Sequence, residues 1–178
     1  MKDVVTGSNQ KMFKLKFDLE AAKFIFFFII SLSVFYFLSI RFEEFIPFFN
    51  MQSTAQVLFF FLKSVGINAT IESYQIIFSN FSIEIVRQCT GIFEVIAIAS
   101  CILAFPSSIK KKIIGISLAL PIIYFFNMGR LIFLSALGMN YPSVFETVHD
   151  YLLQITFVFL VIFFWIFWVN KVVKSGKA

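Results

Sequence analysis

Cys89, Arg130 and His149 offer a nucleophile, a fixed cation and a proton carrier, the three functions that acyl transfer requires. Thr90-Gly91 and an apolar run follow Cys89, which places its thiol at or just before a helix N-terminus. There the helix dipole and free amides favour the thiolate. Arg130 is permanently charged and presents several donors, suited to steadying an oxyanion or a thiolate. His149, the single histidine of the chain, has an unperturbed pKa of about 6.5 and can carry a proton in either direction. Taken singly, each residue has a plainer role: Cys89 as a small apolar filler, Arg130 as an interfacial anchor, His149 as a wet helix cap. Chemistry follows only if three separate segments bring them together.

Those segments are four apolar stretches, Ala21–Ile40, Gly91–Phe105, Ile113–Gly129 and Tyr151–Val169, each long enough or nearly long enough to cross a bilayer as a helix. With 60% hydrophobic residues, 28 Phe, 14% charged residues and a mean hydropathy of +0.90, the chain reads as an integral membrane protein rather than a soluble domain. The expected fold is all-α: one membrane domain over residues 1–178, with four transmembrane helices, an outer interfacial helix and a short β-hairpin. The first stretch runs into Arg41-Phe42-Glu43-Glu44 without a small-x-small cleavage site, so it reads as a retained helix.

Charge sets the expected orientation. An N-terminus inside leaves Lys2, Lys11, Lys14, Lys16, Lys23, Lys110, Lys111, Lys112, Lys171, Lys174 and Lys177 within, against Arg41, Lys63, Arg87 and Arg130 outside, eleven to four. Both termini are then cytoplasmic and the protein is multi-pass in the cell membrane. The net charge of +5 serves orientation and contact with anionic membrane lipid, and no nucleic acid is expected as a partner. Depth can be counted from the inner lysines. At about 1.5 Å per helical residue, Cys89 lies at most roughly 31 Å from Lys110, Arg130 roughly 27 Å from Lys112 and His149 roughly 33 Å from Lys171, a common outer plane.

Residues 41–90 form the outer segment. Gln52–Val65 suits a helix in the interface. Ile71–Phe78 and Phe81–Gln88 read as the hairpin, turning at Ser79-Asn80. Arg87, two residues before Cys89 on the expected strand, points to the same side, as a steering charge or a hairpin-edge charge. Asn127, one turn before Arg130, either binds substrate backbone, orients the guanidinium, or packs helices as a buried amide. Glu94 reads as a first-turn helix charge rather than a catalytic acid; Glu146 and Asp150 either orient His149 or, the favoured reading, are solvated charges. Cys101, about 18 Å along the helix from Cys89, is too far for a disulfide, so both thiols are free. No metal-ligand spacing or phosphate-binding loop is present, and no cofactor is expected.

Cys89-Thr90-Gly91 ahead of a transmembrane helix, Asn127-Met128-Gly129-Arg130 at the outer end of the next and His149 at the start of the last resemble the exosortase/archaeosortase membrane transpeptidases. The likeness covers about Ser82 to Gln154. It implies Cys89 as nucleophile, Arg130 as positive stabiliser and His149 as acid/base. The implied substrates are exported proteins bearing a C-terminal motif, a hydrophobic helix and a basic tail, cleaved and passed to an envelope acceptor. The other reading is a non-catalytic four-helix scaffold or assembly factor, whose small residues such as Ala97, Ser100, Gly115 and Ser117 pack helices closely.

Overall fold

The computed structural model describes the backbone of residues 2–42 and 49–174, and side chains from residue 19 onward within those ranges. Glu43, Glu44 and Lys177, together with the side chains of Lys2, Lys11, Lys14 and Lys16, lie outside the described residues. The elements in order are α1 (Lys2–Arg41), α2 (Met51–Ser64), β1 (Thr70–Glu72), β2 (Gln75–Ile77), β3 (Ser82–Glu84), a 3₁₀ turn (Arg87–Cys89), α3 (Ile92–Ala104), α4 (Ile109–Asn140) and α5 (Pro142–Trp168), the last running into a π-helical turn over Val169–Val173.

Among the described residues, three stretches are long and apolar enough to cross a membrane: Leu19–Arg41, Ile109–Asn140 and Pro142–Val173. The fourth expected span, Gly91–Phe105, is the 13-residue α3. At 1.5 Å per residue it is roughly 20 Å long, short of a hydrocarbon core of about 30 Å. It packs against α1, α4 and α5 and forms the middle of the bundle. Large apolar side chains coat the outside; Phe125, Phe159 and Phe163 are 73%, 71% and 75% exposed, a surface suited to lipid and not to water.

The expected third span ends too early and the fourth begins too late. Helix α4 continues to Asn140 and α5 begins at Pro142, so only Tyr141 separates two antiparallel helices. Pro142 explains the corner: it disfavours helix in the residue before it and is well accepted in the first turn after it. The segment around Pro142 is therefore helix, not loop, and Glu146 stands exposed on it. Arg130 and His149 consequently lie inside their helices, roughly 16 and 12 Å from the Tyr141 corner by helical rise, which keeps them at one level.

The hairpin has a third strand. β1–β2–β3 are antiparallel, with Thr70 opposite Ile77, Ile76 opposite Ile83 and Ile77 opposite Ser82. Ser73, at φ 57°, makes the extra turn inside the expected first strand. The Ser79-Asn80 turn forms as expected, closed by Phe78 N–H to Phe81 O at 2.8 Å and tied to α4 by Asn80 Nδ2 donating to Met139 O at 3.1 Å. A two-stranded ribbon alone is marginal. Here Ile76, Phe78, Ile83 and Ile85 bury one face against Ala55, Leu58 and Leu62 of α2 and against Met128, Leu131 and Leu134 of α4. Helix α2 is capped by Asn50, whose Oδ1 accepts from Ser53 N–H at 2.7 Å.

A second apolar cluster joins Ile92, Ile96, Ile98 and Ile102 of α3 to Ala119 and Ile123 of α4 and to Phe164 and Trp168 of α5. Trp168 Nε1 donates to Lys111 O at 3.0 Å across Gly115, where an added Cβ would lie 2.3 Å from that nitrogen. This locks the end of α5 to the start of α4, as the corner at Tyr141 locks their other ends.

Candidate active site

Cys89 sits where strand gives way to helix. Ile85 N–H still pairs with Tyr74 O at 2.9 Å, and Cys89 N–H turns back to Val86 O at 2.8 Å to make the 3₁₀ turn. Thr90 closes it twice: its hydroxyl donates to Arg87 O at 2.9 Å and accepts from Ile92 N–H at 3.3 Å. Gly91, at φ 82°, then swings the chain into α3 through a left-handed conformation that a side chain rarely adopts. Thr90 and Gly91 thus each have a mechanical reason for their type.

From α4, Asn127 Nδ2 donates to Cys89 O at 2.8 Å and Arg130 Nη2 donates to Gln88 O at 3.2 Å. The i, i+3 spacing that puts them on one helix face lets both clamp the same turn. Of the roles open to Asn127, the geometry makes it a buried amide that holds the backbone of Cys89. From α5, His149 Nε2 lies 3.7 Å from Cys89 Sγ, while its Nδ1 lies 3.4 Å from Asp150 Oδ1. Asp150 is 78% exposed on its side chain, so it is both solvated and in contact with the imidazole. All three residues singled out from the sequence meet around one turn.

Two expectations need correcting. Arg87 is on the 3₁₀ turn, not on a strand, and consecutive side chains there diverge by about 120°. Its guanidinium faces away from the sulfur, donating to Ser39 Oγ of α1 at 2.9 Å and lying 6.0 Å above the Phe93 ring. The second concerns ionisation. Cys89 is 1% exposed, and that burial pushes its thiol above the ordinary value; the hydrogen bond with Val86 and the charge of Arg130 pull it down less, and Glu94 adds to the rise. Of the amides at the α3 N-terminus expected to favour a thiolate, that of Ile92 is already taken by Thr90 Oγ1.

Contacts between distant segments complete the site. Glu94 is in the first turn of α3, as expected, and its Oε1 also stands 3.6 Å from Arg130 Nη1, with both side chains buried, so it is a counter-ion as well as a helix-end charge. His149 is stacked on Phe145 at 5.6 Å and 15°, Phe145 meets Phe81 edge-on at 4.7 Å, and Phe81 stacks on Phe78. Phe81 fits only because Gly138 has no side chain: a Cβ there would lie 2.3 Å from the ring. The i, i+4 spacing of Phe145 and His149 is a signal, but 28 Phe residues hide it. A cleft of about 320 Å³ lined by Val86, Gln88, His149, Asp150, Leu153 and Gln154 opens beside the imidazole. Both cysteines are free thiols.

Fold and site together define a multi-pass membrane protein with a buried thiol held between an imidazole and a guanidinium. The family model of the transmembrane exosortases matches residues 17–171. The chain belongs to that family, which supports a membrane transpeptidase-type role. No curated protein and no solved structure matches it.

Proposed function

We propose that this protein is a membrane cysteine peptidase or transpeptidase in which Cys89 is the nucleophile, His149 the acid/base and Arg130 the oxyanion stabiliser. The observation that carries this reading is the 3.7 Å approach of His149 Nε2 to Cys89 Sγ on a turn that Arg130 also clamps. Because burial keeps the thiol protonated, His149 acts first as a base. Asp150 beside Nδ1 favours the tautomer with its proton there, leaving the Nε2 lone pair for the thiol proton.

The sulfur then attacks the carbonyl carbon of the scissile peptide, and the resulting oxyanion is stabilised by the Arg130 guanidinium. Collapse breaks the C–N bond, with the imidazolium proton passing to the leaving amine, and a thioester remains on Cys89. An incoming amine, or water, gives its proton to His149 as it attacks the thioester carbonyl. The thiolate leaves and is reprotonated by the same imidazolium. The cleft beside His149 admits the peptide, and Gln88 and Gln154 on its wall carry both donors and acceptors for an extended backbone.

The substrates in this reading are exported proteins with a C-terminal motif, an apolar helix and a basic tail, transferred to an envelope acceptor. The eleven-to-four distribution of Lys and Arg supports a site on the extracytoplasmic face of the cell membrane, both termini inside, and α3 crossing with the three longer helices. The test is processing of a co-expressed substrate of that design. Cys89→Ala and Cys89→Ser are expected to insert stably and process nothing; Arg130→Lys loses most activity, since a point charge does not reproduce the guanidinium fork; Cys101→Ala is near wild type. Wild-type processing by Cys89→Ala, with loss in Cys101→Ala, would overturn the assignment in favour of a scaffold.

A further inference from the structure

We propose that Glu94 is the positioning residue of this site, holding the Arg130 guanidinium against the Cys89 turn as its buried counter-ion; the inference rests on the catalytic reading above. Arg130 and Glu94 have side chains only 3% and 8% exposed, so neither charge is tolerable without the other. Their separation of 3.6 Å exceeds the roughly 2.8 Å of a closed charge-assisted hydrogen bond. The pair is therefore held by charge more than by a fitted hydrogen bond, and guanidinium donors stay uncommitted. Arg130 Nε, Glu94 Oε2 and Asn127 Oδ1 have no partner among the described residues, and these three residues share the walls of one small chamber with Thr156. Nη2 is on Gln88 O and Nη1 faces Glu94, which leaves Nε and the second N–H of each Nη for a developing oxyanion.

Sequence separation makes the arrangement economical. Glu94 lies in the first turn of α3, five residues beyond Cys89, so the turn that presents the thiol and the carboxylate that holds Arg130 move as one piece. The charged and titratable groups set around Cys89 are Arg130 from α4, Glu94 from α3 and His149 with Asp150 from α5; Arg87 on its own turn is directed to Ser39 of α1. Glu94 thus opposes at the sulfur the charge that Arg130 contributes there.

The test is a charge cycle on the full chain in a Cys101→Ala background, reading both processing rate and the pH dependence of Cys89 alkylation by iodoacetamide. Glu94→Gln keeps the volume and removes the charge. It is expected to lower the turnover of inserted protein about tenfold or more with little change in KM, and to move alkylation to lower pH because Gln88 O still tethers Arg130. Glu94→Asp keeps the charge and is expected to recover most of the rate. Arg130→Gln alone is expected to be worse than Glu94→Gln, and the double variant no worse than Arg130→Gln, since Glu94 acts through Arg130. Additive losses, a wild-type rate in Glu94→Gln, or an Asp variant as poor as Gln would overturn the proposal. So would an alkylation profile identical in Glu94→Gln and wild type. If the wild type processes nothing while the profile still moves, the peptidase reading fails and the coupling of Glu94 to the Cys89 site stands.

Discussion

Replacing Gly138 by Ala opposes two effects of similar size and opposite sign. In a helix, Ala is favoured over Gly by up to about 1 kcal/mol. Against that, the new Cβ would lie 2.3, 2.4 and 2.8 Å from three atoms of the Phe81 ring, where carbon atoms ordinarily approach to about 3.5–4.0 Å. Movement of the ring disturbs its neighbours, since it is stacked on Phe78 at 6.0 Å and packed edge-on to Phe145 at 4.7 Å. Overpacking of this kind costs about 1–3 kcal/mol, so the balance falls on the destabilising side by about 0–2 kcal/mol. Phe81→Leu removes two of the three colliding atoms, Cε1 and Cζ, and leaves a short flexible end that can turn aside, so in that background Gly138→Ala is expected to change sign and stabilise. Equilibrium unfolding in detergent micelles, by SDS or urea titration, measures all four proteins of the cycle. Displacement also passes through Phe145 to the imidazole stacked on it at 5.6 Å. Under the proposed mechanism Gly138→Ala therefore loses about tenfold or more in processing, as misplacements near 1 Å do, and Gly138→Ala/Phe81→Leu partly recovers. A stabilising Gly138→Ala in the wild-type background would refute the reasoning, because the collision would then not exist.

Two further outcomes are expected. Burial raises the Cys89 thiol above its ordinary value of about 9.0, so the folded protein keeps that proton longer than the unfolded chain. This contribution to stability is complete below that pH and falls as pH rises above it; Cys89→Ser should lack the alkaline loss, and an equal decline in both between pH 8 and about 10.5 would count against a buried thiol. For topology, single cysteines at exposed Ser73 in the sheet and exposed Ser108 before α4 are expected to label from opposite faces, Ser73 from outside; labelling of Ser73 from the cytoplasm would reverse the active-site face.

Much of the site was legible in the residues. Cys89, Arg130 and His149 are chemically distinctive in an apolar chain, and the three meet around one turn. Helix-forming apolar runs need no partner to be recognised, because a bilayer demands internally satisfied backbone wherever it is crossed. Alternation of Phe81, Ile83 and Ile85 with Ser82 and Glu84 likewise marks the last strand from local chemistry.

What the chain alone left open depends on neighbours distant in sequence. The ends of α4 and α5 were hidden because polar residues such as Asn127, Arg130 and His149 break the apolar pattern yet are satisfied inside the bundle. Arg87 follows Ser39, 48 residues away, rather than strand alternation. The state of the Cys89 thiol turns on desolvation by α2, the sheet and α4, which outweighs the local helix end. Glu94 becomes Arg130's partner, and Gly138 the seat of Phe81, only when α3, α4 and the sheet meet. Composition and spacing determine which groups exist and which segments carry them; burial and pairing, which set what those groups can do, are sums over neighbours and belong to the tertiary structure.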